Sequence, residues 1–517
     1  MNEIWNDTVD VFTNRWPTIW SLFLEHATLS LISIGIAILI SVPLGIILTR
    51  NTKVAEPIIG VASVLQTIPS LALLVFLVPF MGTGKAPAII ALTIYGLLPI
   101  LRNTYIGIRG VDRATVEAGI GMGMTSRQVL TMVELPLSLG VIMAGVRTAT
   151  VLIVGVATIA GLIGAGGLGD LIFRGLQTYN SGLILAGAIP SALLAIVLDF
   201  ILKKVEGMAQ PGKLSRKTKK NITRGAIAVV AAIVLVFAVT SFTGSTKDTI
   251  TITGKNFTEQ EIMVYVLGHL IEEKTDLDVK YESFLGGSTL AFEGLQQGSY
   301  DVYVEYTGTG LMNYLKEDAI NDPDEAYDYV KKVFKEKYDL VWLDPIGFNN
   351  TYTLTVRQED AEKYGLEKMS DLEKTADSMV LGTEPEFQER KDGYPGFQEL
   401  YGFSFKEAKT MDTGIMYSAI KNGDVDVIDA FGTDGRIPAF NLKVLEDDKK
   451  LFPPYYAAPL IRQDVLDEHP ELEEVLNMLA GRIDDERMQE LNARVDIDKE
   501  EYETVAVDFL KEEGLIE

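Results

Sequence analysis

Few side chains in this sequence have the type and spacing that catalysis requires. The chain has no cysteine, and its three histidines are too scattered to form a zinc cluster. Glu282, Glu305 and Asp434 leave open a hydrolase with paired carboxylates. No nucleophile elbow, metal motif or Ser/His pairing accompanies these acids. We therefore assign no catalytic residue and no metal ligand from the sequence.

Nucleotide hydrolysis by this chain is also unsupported. The sequence contains no G-x-x-x-x-G-K-[ST] phosphate-binding motif. The nearest segment, Gly-Thr-Gly-Lys-Ala at 82–86, lacks both the leading glycine and the hydroxyl residue. We expect that the chain itself binds no cofactor.

The composition divides the 517-residue chain into two unlike parts. Up to Arg224 there are 18 Lys and Arg against 11 Asp and Glu, whereas the remainder holds 28 and 60. An apolar, slightly basic part followed by an acidic part predicts a membrane domain joined to a soluble domain. The acidic part is unsuited to nucleic acid, which requires a basic face to displace counterions.

Five segments are apolar enough to span a membrane, each near the ~20 residues that a bilayer core requires. They are residues 25–48, 57–80, 87–107, 137–164 and 181–202. Basic residues cluster after the first, third and fifth segments. By the positive-inside rule, these clusters are cytoplasmic and the N-terminus lies outside. The N-terminus lacks the features of a signal peptide, so the chain enters the membrane through its own helices.

A polar stretch between the third and fourth spans, residues 117–136, reads EAGIGMGMTSRQVLTMVELP. It resembles the EAA loop of ABC importer permeases, and the matching residues are Glu117, Ala118, Gly123, Leu135 and Pro136. Gly119 replaces the second alanine of that pattern. The resemblance implies an all-α polytopic membrane domain of the type I importer kind. In that family the loop docks on a separate ATPase subunit, which carries the ATP and Mg, and the orientation places the loop in the cytoplasm.

Residues 203–224 are a polybasic linker, and residues 225–242 are an uncharged apolar run. Eighteen apolar residues suffice for a sixth span that acts as an anchor; a cleaved signal peptide is the alternative. Three parts are predicted: a permease domain at 1–207, a linker with the anchor helix at 208–247, and an extracytoplasmic domain at 248–517. The chain is then a multi-pass protein of the bacterial cell membrane.

From Thr249 short β-runs alternate with amphipathic helices, which predicts an α/β domain of two lobes. Seven stretches resemble substrate-binding proteins of the osmoprotectant, or quaternary-amine, ABC uptake family. They are KNFTEQ (255–260), LGGST (285–289), YDVYVEYTGT (300–309), FNNTYTL (348–354), GTEPEFQERKDGYPG (382–396), DVIDAFGTDGRI (426–437) and FPPYYAAPL (452–460). The resemblance implies a two-lobed periplasmic-binding-protein-like domain fused to its permease.

The resemblance also implies which residues bind ligand. A trimethylammonium group donates no hydrogen bonds, so its favourable site is a box of aromatic faces. The matching positions are Tyr306, Tyr352, Phe431 and one of Tyr455 or Tyr456. Relatives that bind choline or glycine betaine usually carry Tyr at the position of Phe431. For each aromatic residue taken alone, a packing role is the alternative.

Polar residues in the same stretches are expected to hold the polar end of the ligand. They are Thr309, Asn349, Asp434 and Arg436, with Gln260, Ser288 and Glu384 as weaker candidates. A ligand carboxylate would suit Arg436 or the helix N-terminus after Gly287.

These features predict the permease and substrate-binding subunit of an ATP-driven importer for a trimethylammonium betaine. Ergothioneine ranks level with glycine betaine, choline and carnitine as the cargo. The expected partners are a second copy of this chain and two copies of a separate ATPase. The alternative is a membrane-anchored ligand sensor that uses the same lobes.

Overall fold

The computed structural model describes residues 2–178, 180–209 and 249–517. These residues form two compact units, an N-terminal helical unit and a C-terminal unit built on two β-sheets. This confirms the predicted fold class. The predicted anchor helix at 225–242 lies outside the described residues, and the three domain boundaries stay predictions.

The N-terminal part consists of helices joined by short turns. The α-helices are Asn2–Asn14, Trp16–Arg50, Thr52–Thr67, Ser70–Met81, Lys85–Arg109, Arg113–Gly121, Ser126–Val129, Leu135–Ala157, Leu168–Gln177 and Ser181–Ala209. A π-helical turn, Leu130–Glu134, and a 3-10 turn, Ile159–Ile163, complete this part.

Four helical segments in the described residues are long and apolar enough to cross a membrane, and these agree with the first, third, fourth and fifth predicted spans. They are Trp16–Arg50, Lys85–Arg109, Ser126–Ala157 and Ser181–Gly207. The second predicted span, 57–80, is not one straight helix. Thr52–Thr67 and Ser70–Met81 meet at a bend of 96°.

Proline chemistry explains this bend. Ile68 has an extended backbone with φ −64° and ψ 130°, and Pro69 follows it. Proline disfavours the helical conformation at the preceding residue and supplies no backbone N–H, so the helix ends there. Hydropathy reflects the apolar composition of the two helices and does not reveal the break between them.

Small residues allow the membrane helices to pack closely. A Cβ on Gly96 would lie 2.7 Å from Ile153 Cδ1 and 3.0 Å from Ala37 Cβ, so three helices meet at this glycine. Arg147 forms a bidentate ion pair with Asp199 across two spanning helices, at 2.8 and 3.0 Å. Charged groups in apolar helices are costly unless they are paired in this way.

The first sheet of the C-terminal unit has the strand order β2-β1-β3-β10-β4. Its strands are β1 (Thr249–Lys255), β2 (Asp278–Leu285), β3 (Val302–Tyr306), β4 (Leu340–Trp342) and β10 (Ala457–Arg462). β1 runs parallel to β2 and β3, and β10 runs antiparallel to β3 and β4.

The second sheet has the order β7-β6-β8-β5-β9. Its strands are β5 (Tyr352–Arg357), β6 (Val380–Thr383), β7 (Glu407–Thr410), β8 (Val427–Phe431) and β9 (Leu442–Val444). β6 is parallel to β7 and β8, and β5 is antiparallel to β8 and β9.

Helices cover both sheets. The longer α-helices are Thr258–Lys274, Gly287–Gln296, Pro323–Tyr338, Tyr394–Tyr401, Thr413–Asn422, Asp485–Asp496 and Tyr502–Glu512. The shorter α-helices are Gln358–Tyr364, Pro385–Glu389, Arg436–Ala439, Gln463–Glu468 and Glu471–Asn477. The remaining turns are π-helical at Thr309–Tyr314 and 3-10 at Met369–Lys374 and Ala376–Ser378.

The chain passes between the sheets twice, after β4 and after β9. Each passage carries one of the motifs quoted above, FNNTY before β5 and FPPYY before β10. The two passages are joined, since the backbone N–H of Tyr455 donates to Asn349 Oδ1 at 2.7 Å. The side chains on these passages therefore lie where the two sheets meet.

Candidate ligand-binding site

Four of the predicted aromatic residues converge in the structure. Tyr306 ends β3, whereas Tyr352 and Phe431 are opposite each other in the β5–β8 pairing. The ring centroids of Tyr352 and Phe431 are 5.1 Å apart, and the Tyr455 ring packs edge-on against Tyr352 at 5.6 Å. Phe257 bridges the set because it stacks on Phe431 at 6.0 Å and on Tyr306 at 6.3 Å. We call these five residues the ring cluster.

The two consecutive tyrosines, either of which the sequence allows in the site, have different surroundings. Tyr455 is buried against Tyr352, and Gly308 permits its close approach, since a Cβ there would lie 2.6 Å from Tyr455 Cε1. Tyr456 is half-buried and lines a groove with Asn349 and Phe452, and Tyr352 of the ring cluster lines the same groove.

Buried cations lie over the tyrosines of the ring cluster. The guanidinium carbon of Arg390 is 5.6 Å from the Tyr352 centroid and 5.9 Å from the Tyr455 centroid. Lys255 Nζ is 4.9 Å from the Tyr306 centroid and pairs with Glu305 at 2.5 Å. These contacts have cation–π geometry.

Arg390 is held in a fixed orientation. Its Nε and Nη2 donate to the two carboxylate oxygens of Asp392 at 2.9 and 2.6 Å. The remaining nitrogen, Nη1, is 3.8 Å from Glu386 Oε2, beyond ordinary hydrogen-bond distance. One edge of this buried guanidinium therefore faces Glu386 without a close hydrogen bond to it.

Tyr306 is fixed through its hydroxyl group. Gln260 Nε2 donates to this hydroxyl at 2.8 Å, and the hydroxyl donates to Glu259 Oε1 at 2.5 Å. Gln260, a predicted site residue, thus supports a ring of the cluster, since its side chain also donates to the backbone of Val304. Burial raises the pKa of Glu259 to about 7, although hydrogen bonds from Thr433 and Tyr306 oppose the shift.

The predicted Glu384 lies behind Tyr352. The Tyr352 hydroxyl donates to Glu384 Oε1 at 2.6 Å. Burial raises the pKa of Glu384 to about 7, and repulsion from Glu386 adds to the shift. Burial and the charge of Glu384 also raise the pKa of Asp429, which accepts the Glu384 backbone N–H at 3.0 Å.

Arg436 and Asp434, both predicted to hold the polar end of a ligand, bind each other. Arg436 Nε donates to Asp434 Oδ1 at 2.9 Å, and Nη2 donates to Oδ2 at 2.5 Å. Asp496 lies 3.4 Å from Arg436 Nε. Arg436 therefore already has two carboxylate partners, of which Asp496 is 60 residues distant in sequence.

The predicted helix N-terminus at Gly287 also has a partner. The Ser288 backbone N–H donates to Glu386 Oε1 at 2.9 Å, and the Ser288 hydroxyl donates to Oε2 at 3.0 Å. A carboxylate of the protein thus satisfies an anion-binding position. Of the other predicted polar residues, Thr309 is buried at the start of the turn after β3, and Asn349 joins the two passages.

Sequence reasoning missed several residues that the structure places beside the rings. They are Lys255, Phe257, Glu259, Glu386, Phe387, Arg390 and Asp392. All of them lie within the quoted stretches 255–260 and 382–396. Their presence in those motifs was the available signal, but the charge of a side chain does not reveal whether it faces a ligand or solvent.

The polar loop of the N-terminal unit forms two short helices joined by a turn. Asp112 caps Arg113–Gly121, Gly123 turns the chain with φ +81°, and Thr125 caps the following helix. Glu117 and Ala118 are exposed on the first helix. The apolar side chains of Ile120 and Met122 are 59% and 72% exposed, which leaves an apolar surface at the turn. Leu135 and Pro136 begin the next membrane helix.

Comparisons with known proteins agree with this arrangement. Residues 41–207 match the family described as the binding-protein-dependent transport system inner membrane component. Residues 248–512 match the substrate binding domain of ABC-type glycine betaine transport system.

One relative covers both halves. The ergothioneine transport permease/ergothioneine binding protein EgtU of Helicobacter pylori (strain G27) is 34% identical over 490 residues, which is 93% of this chain and 88% of that protein. Two relatives from Listeria monocytogenes each cover one half. The carnitine transport binding protein OpuCC of serotype 1/2a (strain 10403S) is 41% identical over 53% of this chain and 90% of its own length. The carnitine transport permease protein OpuCB is 56% identical over 36% of this chain and 86% of its own length.

The chain therefore belongs to the family of ABC importers for glycine betaine, carnitine, choline and ergothioneine, as a membrane permease fused to its substrate-binding domain.

Proposed function

We propose that this chain imports a trimethylammonium betaine and binds it at the ring cluster. The observation that carries the proposal is the convergence of Tyr306, Tyr352, Phe431 and Tyr455 at the junction of the two sheets. Aromatic faces attract a desolvated quaternary ammonium by up to ~2 kcal/mol per contact. No residue that donates hydrogen bonds is required at that end of the ligand.

The carboxylate of a betaine would be held by Arg390. Its Nη1 edge is not used by Asp392, and it lies beside two rings of the cluster. A guanidinium binds a carboxylate with directed, charge-assisted hydrogen bonds. Lys255 adds positive charge over Tyr306. Two carboxylates flank each arginine, Asp392 and Glu386 at Arg390 and Asp434 and Asp496 at Arg436. Arg436 is the weaker candidate because it lies over Tyr417, outside the ring cluster.

Two observations bear on which betaine is the cargo. The relative named for ergothioneine shares the fusion and aligns over 93% of the chain, whereas the relatives named for carnitine each align with one half. Phe431 offers a π face without a hydroxyl, which suits a bulkier ligand. Two kinds of cargo are kept as candidates: ergothioneine, and the osmoprotectants glycine betaine, choline and carnitine.

ATP hydrolysis is assigned to a separate subunit that carries ATP and Mg. We propose that two copies of this chain pair their membrane domains, and that two ATPases dock on the two loops at 117–136. The exposed apolar turn around Gly123 supports this role. The binding domain would work on the outer face of the membrane, where closure on ligand precedes delivery to the pore.

A ligand sensor is the competing function, and ATP hydrolysis separates the two. The full chain would be reconstituted in lipid vesicles with its partner ATPase subunit, and each of the four compounds would be added outside. An importer shows ligand-stimulated hydrolysis and accumulates the compound inside. A sensor binds the compound and leaves both quantities at their basal values, which would contradict the proposal.

A further inference from the structure

Glu259 joins three separate parts of the binding domain through one buried carboxylate. Its side chain lies at the start of helix Thr258–Lys274, and the residue is 2% exposed. Oε1 accepts hydrogen bonds from the Tyr306 hydroxyl at 2.5 Å and from Asn350 Nδ2 at 2.9 Å. Oε2 accepts from the Thr433 hydroxyl at 2.5 Å.

The three donors belong to different elements. Tyr306 ends β3 of the first sheet, and Asn350 lies on the passage between the sheets. Thr433 follows β8 of the second sheet. The carboxylate thus connects a ring of the cluster with a loop of the opposite sheet.

We propose that Glu259 is a positioning residue that couples ligand contact at Tyr306 to the approach of the two sheets. The inference rests on the proposed role of the ring cluster in ligand binding. A ligand that packs on the Tyr306 ring restricts that ring and its hydroxyl. The Tyr306 hydroxyl is then already fixed as a donor to the Glu259 carboxylate before the Thr433 hydroxyl reaches that carboxylate.

Physical chemistry favours this coupling. A buried carboxylate is costly unless several donors satisfy it, and each lost donor leaves part of the cost uncompensated. Separation of the sheets would remove the Thr433 donor and admit water to the carboxylate. Closure therefore depends on all three donors being in place.

A second contact joins the loop after β8 to the helix Asp485–Asp496. Asn492 Nδ2 donates to the Thr433 backbone carbonyl at 2.9 Å and lies 3.5 Å from Glu259 Oε2. Phe257, Asp434, Arg436 and Asp496 line the small cavity around these groups. Arg436 is paired with Asp434 and Asp496. The hydroxyl and amide donors described above therefore orient the Glu259 carboxylate.

The competing explanation is that Glu259 only satisfies polar groups in a core. In that case its loss would lower stability without changing the distance between the sheets. The chain has no cysteine, so an engineered pair can be labelled selectively. Lys337→Cys, on a helix against the first sheet, and Lys409→Cys, on β7, are exposed positions for spin labels.

The test measures the distance between these two labels by pulsed electron paramagnetic resonance, on the full chain in nanodiscs without ligand. Labelled chain is diluted with excess unlabelled chain so that distances within one chain dominate. Glu259→Gln and Thr433→Val should both shift the distribution to longer distances. Thr433→Ser, which keeps the hydroxyl, and Glu273→Gln, which is exposed on the same helix, should leave it unchanged.

Dissociation rates provide the second readout. For any compound that binds, Glu259→Gln and Thr433→Val should release it about tenfold to a hundredfold faster, with a similar association rate, because a buried hydrogen-bonding group is left without its partner. The double variant should be no worse than the more severe single variant.

The outcomes separate the two proposals. Wild-type distances in both Glu259→Gln and Thr433→Val would overturn the coupling, whatever the cargo proves to be. Longer distances in both variants support the coupling. If none of the four compounds binds the wild-type chain, the proposed cargo fails, whereas the ligand-free distances still decide separately whether Glu259 and Thr433 hold the two sheets together.

Discussion

The guanidinium carbon of Arg390 lies 5.6 Å from the centroid of the Tyr352 ring, and Asp392 holds that guanidinium by two hydrogen bonds. One cation of the protein therefore already lies over this ring. On the proposed function, the trimethylammonium group of a betaine would use the remaining faces of the ring cluster, and the carboxylate of that ligand would lie near the guanidinium edge. The ring and the charge would then act as one recognition unit.

Removal of the Arg390 charge should weaken binding of carboxylate-bearing betaines more than binding of choline. Loss of one member of a buried charge pair costs about 2–5 kcal/mol, so Arg390→Ala should reduce betaine affinity at least about thirtyfold. Calorimetric titration of the full chain measures the difference. Lys391→Ala, at an exposed neighbour, is the control. Equal losses for choline and betaines would show that Arg390 only supports the rings.

A hydroxyl restored at position 431 should matter little for the cationic end. Phe431→Tyr keeps the π face, so affinities for trimethylammonium compounds should stay within about threefold of wild type. Phe431→Ala removes the face and should weaken binding about tenfold or more, in line with ~1–2 kcal/mol per contact. Titrations of both variants give the comparison. A large loss in Phe431→Tyr would mean that the pocket is filled to the ring edge.

How much of this site could be read from the sequence depends on distance along the chain. The rings at 306, 352, 431 and 455 were identified through motifs, and they do converge. Gln260 and Glu384 were predicted as ligand-binding residues and not as the partners of the Tyr306 and Tyr352 hydroxyls. Arg436 pairs with Asp496, and Glu259 contacts Thr433, over separations of 60 and 174 residues. Folding alone creates such pairs, so a single sequence cannot distinguish a ligand-facing charge from a satisfied one.

The membrane helices also combine features that the sequence predicts with features that only the folded structure shows. Hydropathy located four of the spans because the suitability of a helix for the bilayer core depends on its length and apolar composition. The bend at Ile68–Pro69 depends on one backbone conformation and was missed. The different surroundings of Tyr455 and Tyr456 depend on how the passage before β10 meets Asn349, a tertiary contact.

Stability should depend on pH through Glu384. Its pKa rises from 4.5 to about 7 in the folded chain, chiefly through burial. An acid with a raised pKa binds more protons when folded, so the free energy of unfolding falls as the pH rises from about 4.5 to about 7. The melting temperature of the full chain should therefore fall across this range.

Glu384→Gln should reduce this pH dependence, while Glu389→Gln, at an exposed position on the adjacent helix, should not. Differential scanning fluorimetry of the chain in detergent would follow all three proteins. A melting temperature that rises with pH, or an unchanged slope in Glu384→Gln, would show that this carboxyl is ionised at low cost.

Coupling to the ATPase should depend on the turn at Gly123. Its φ of +81° is strained for a residue with a side chain, particularly a β-branched one. Gly123→Val should abolish ligand-stimulated ATP hydrolysis and leave ligand affinity unchanged. Gly121→Ala has open space around the new Cβ and should behave as wild type. Retained stimulation in Gly123→Val would contradict docking through this turn.

The most direct measurement is calorimetric titration of the full-length chain in nanodiscs with ergothioneine, glycine betaine, choline and carnitine in parallel. We expect tight binding of at least one of them, weakened about thirtyfold by Tyr352→Ala and by Tyr306→Ala, since each ring face contributes up to ~2 kcal/mol. Binding of none of the four to a folded chain would show that the ring cluster is structural, and it would contradict import of a trimethylammonium betaine.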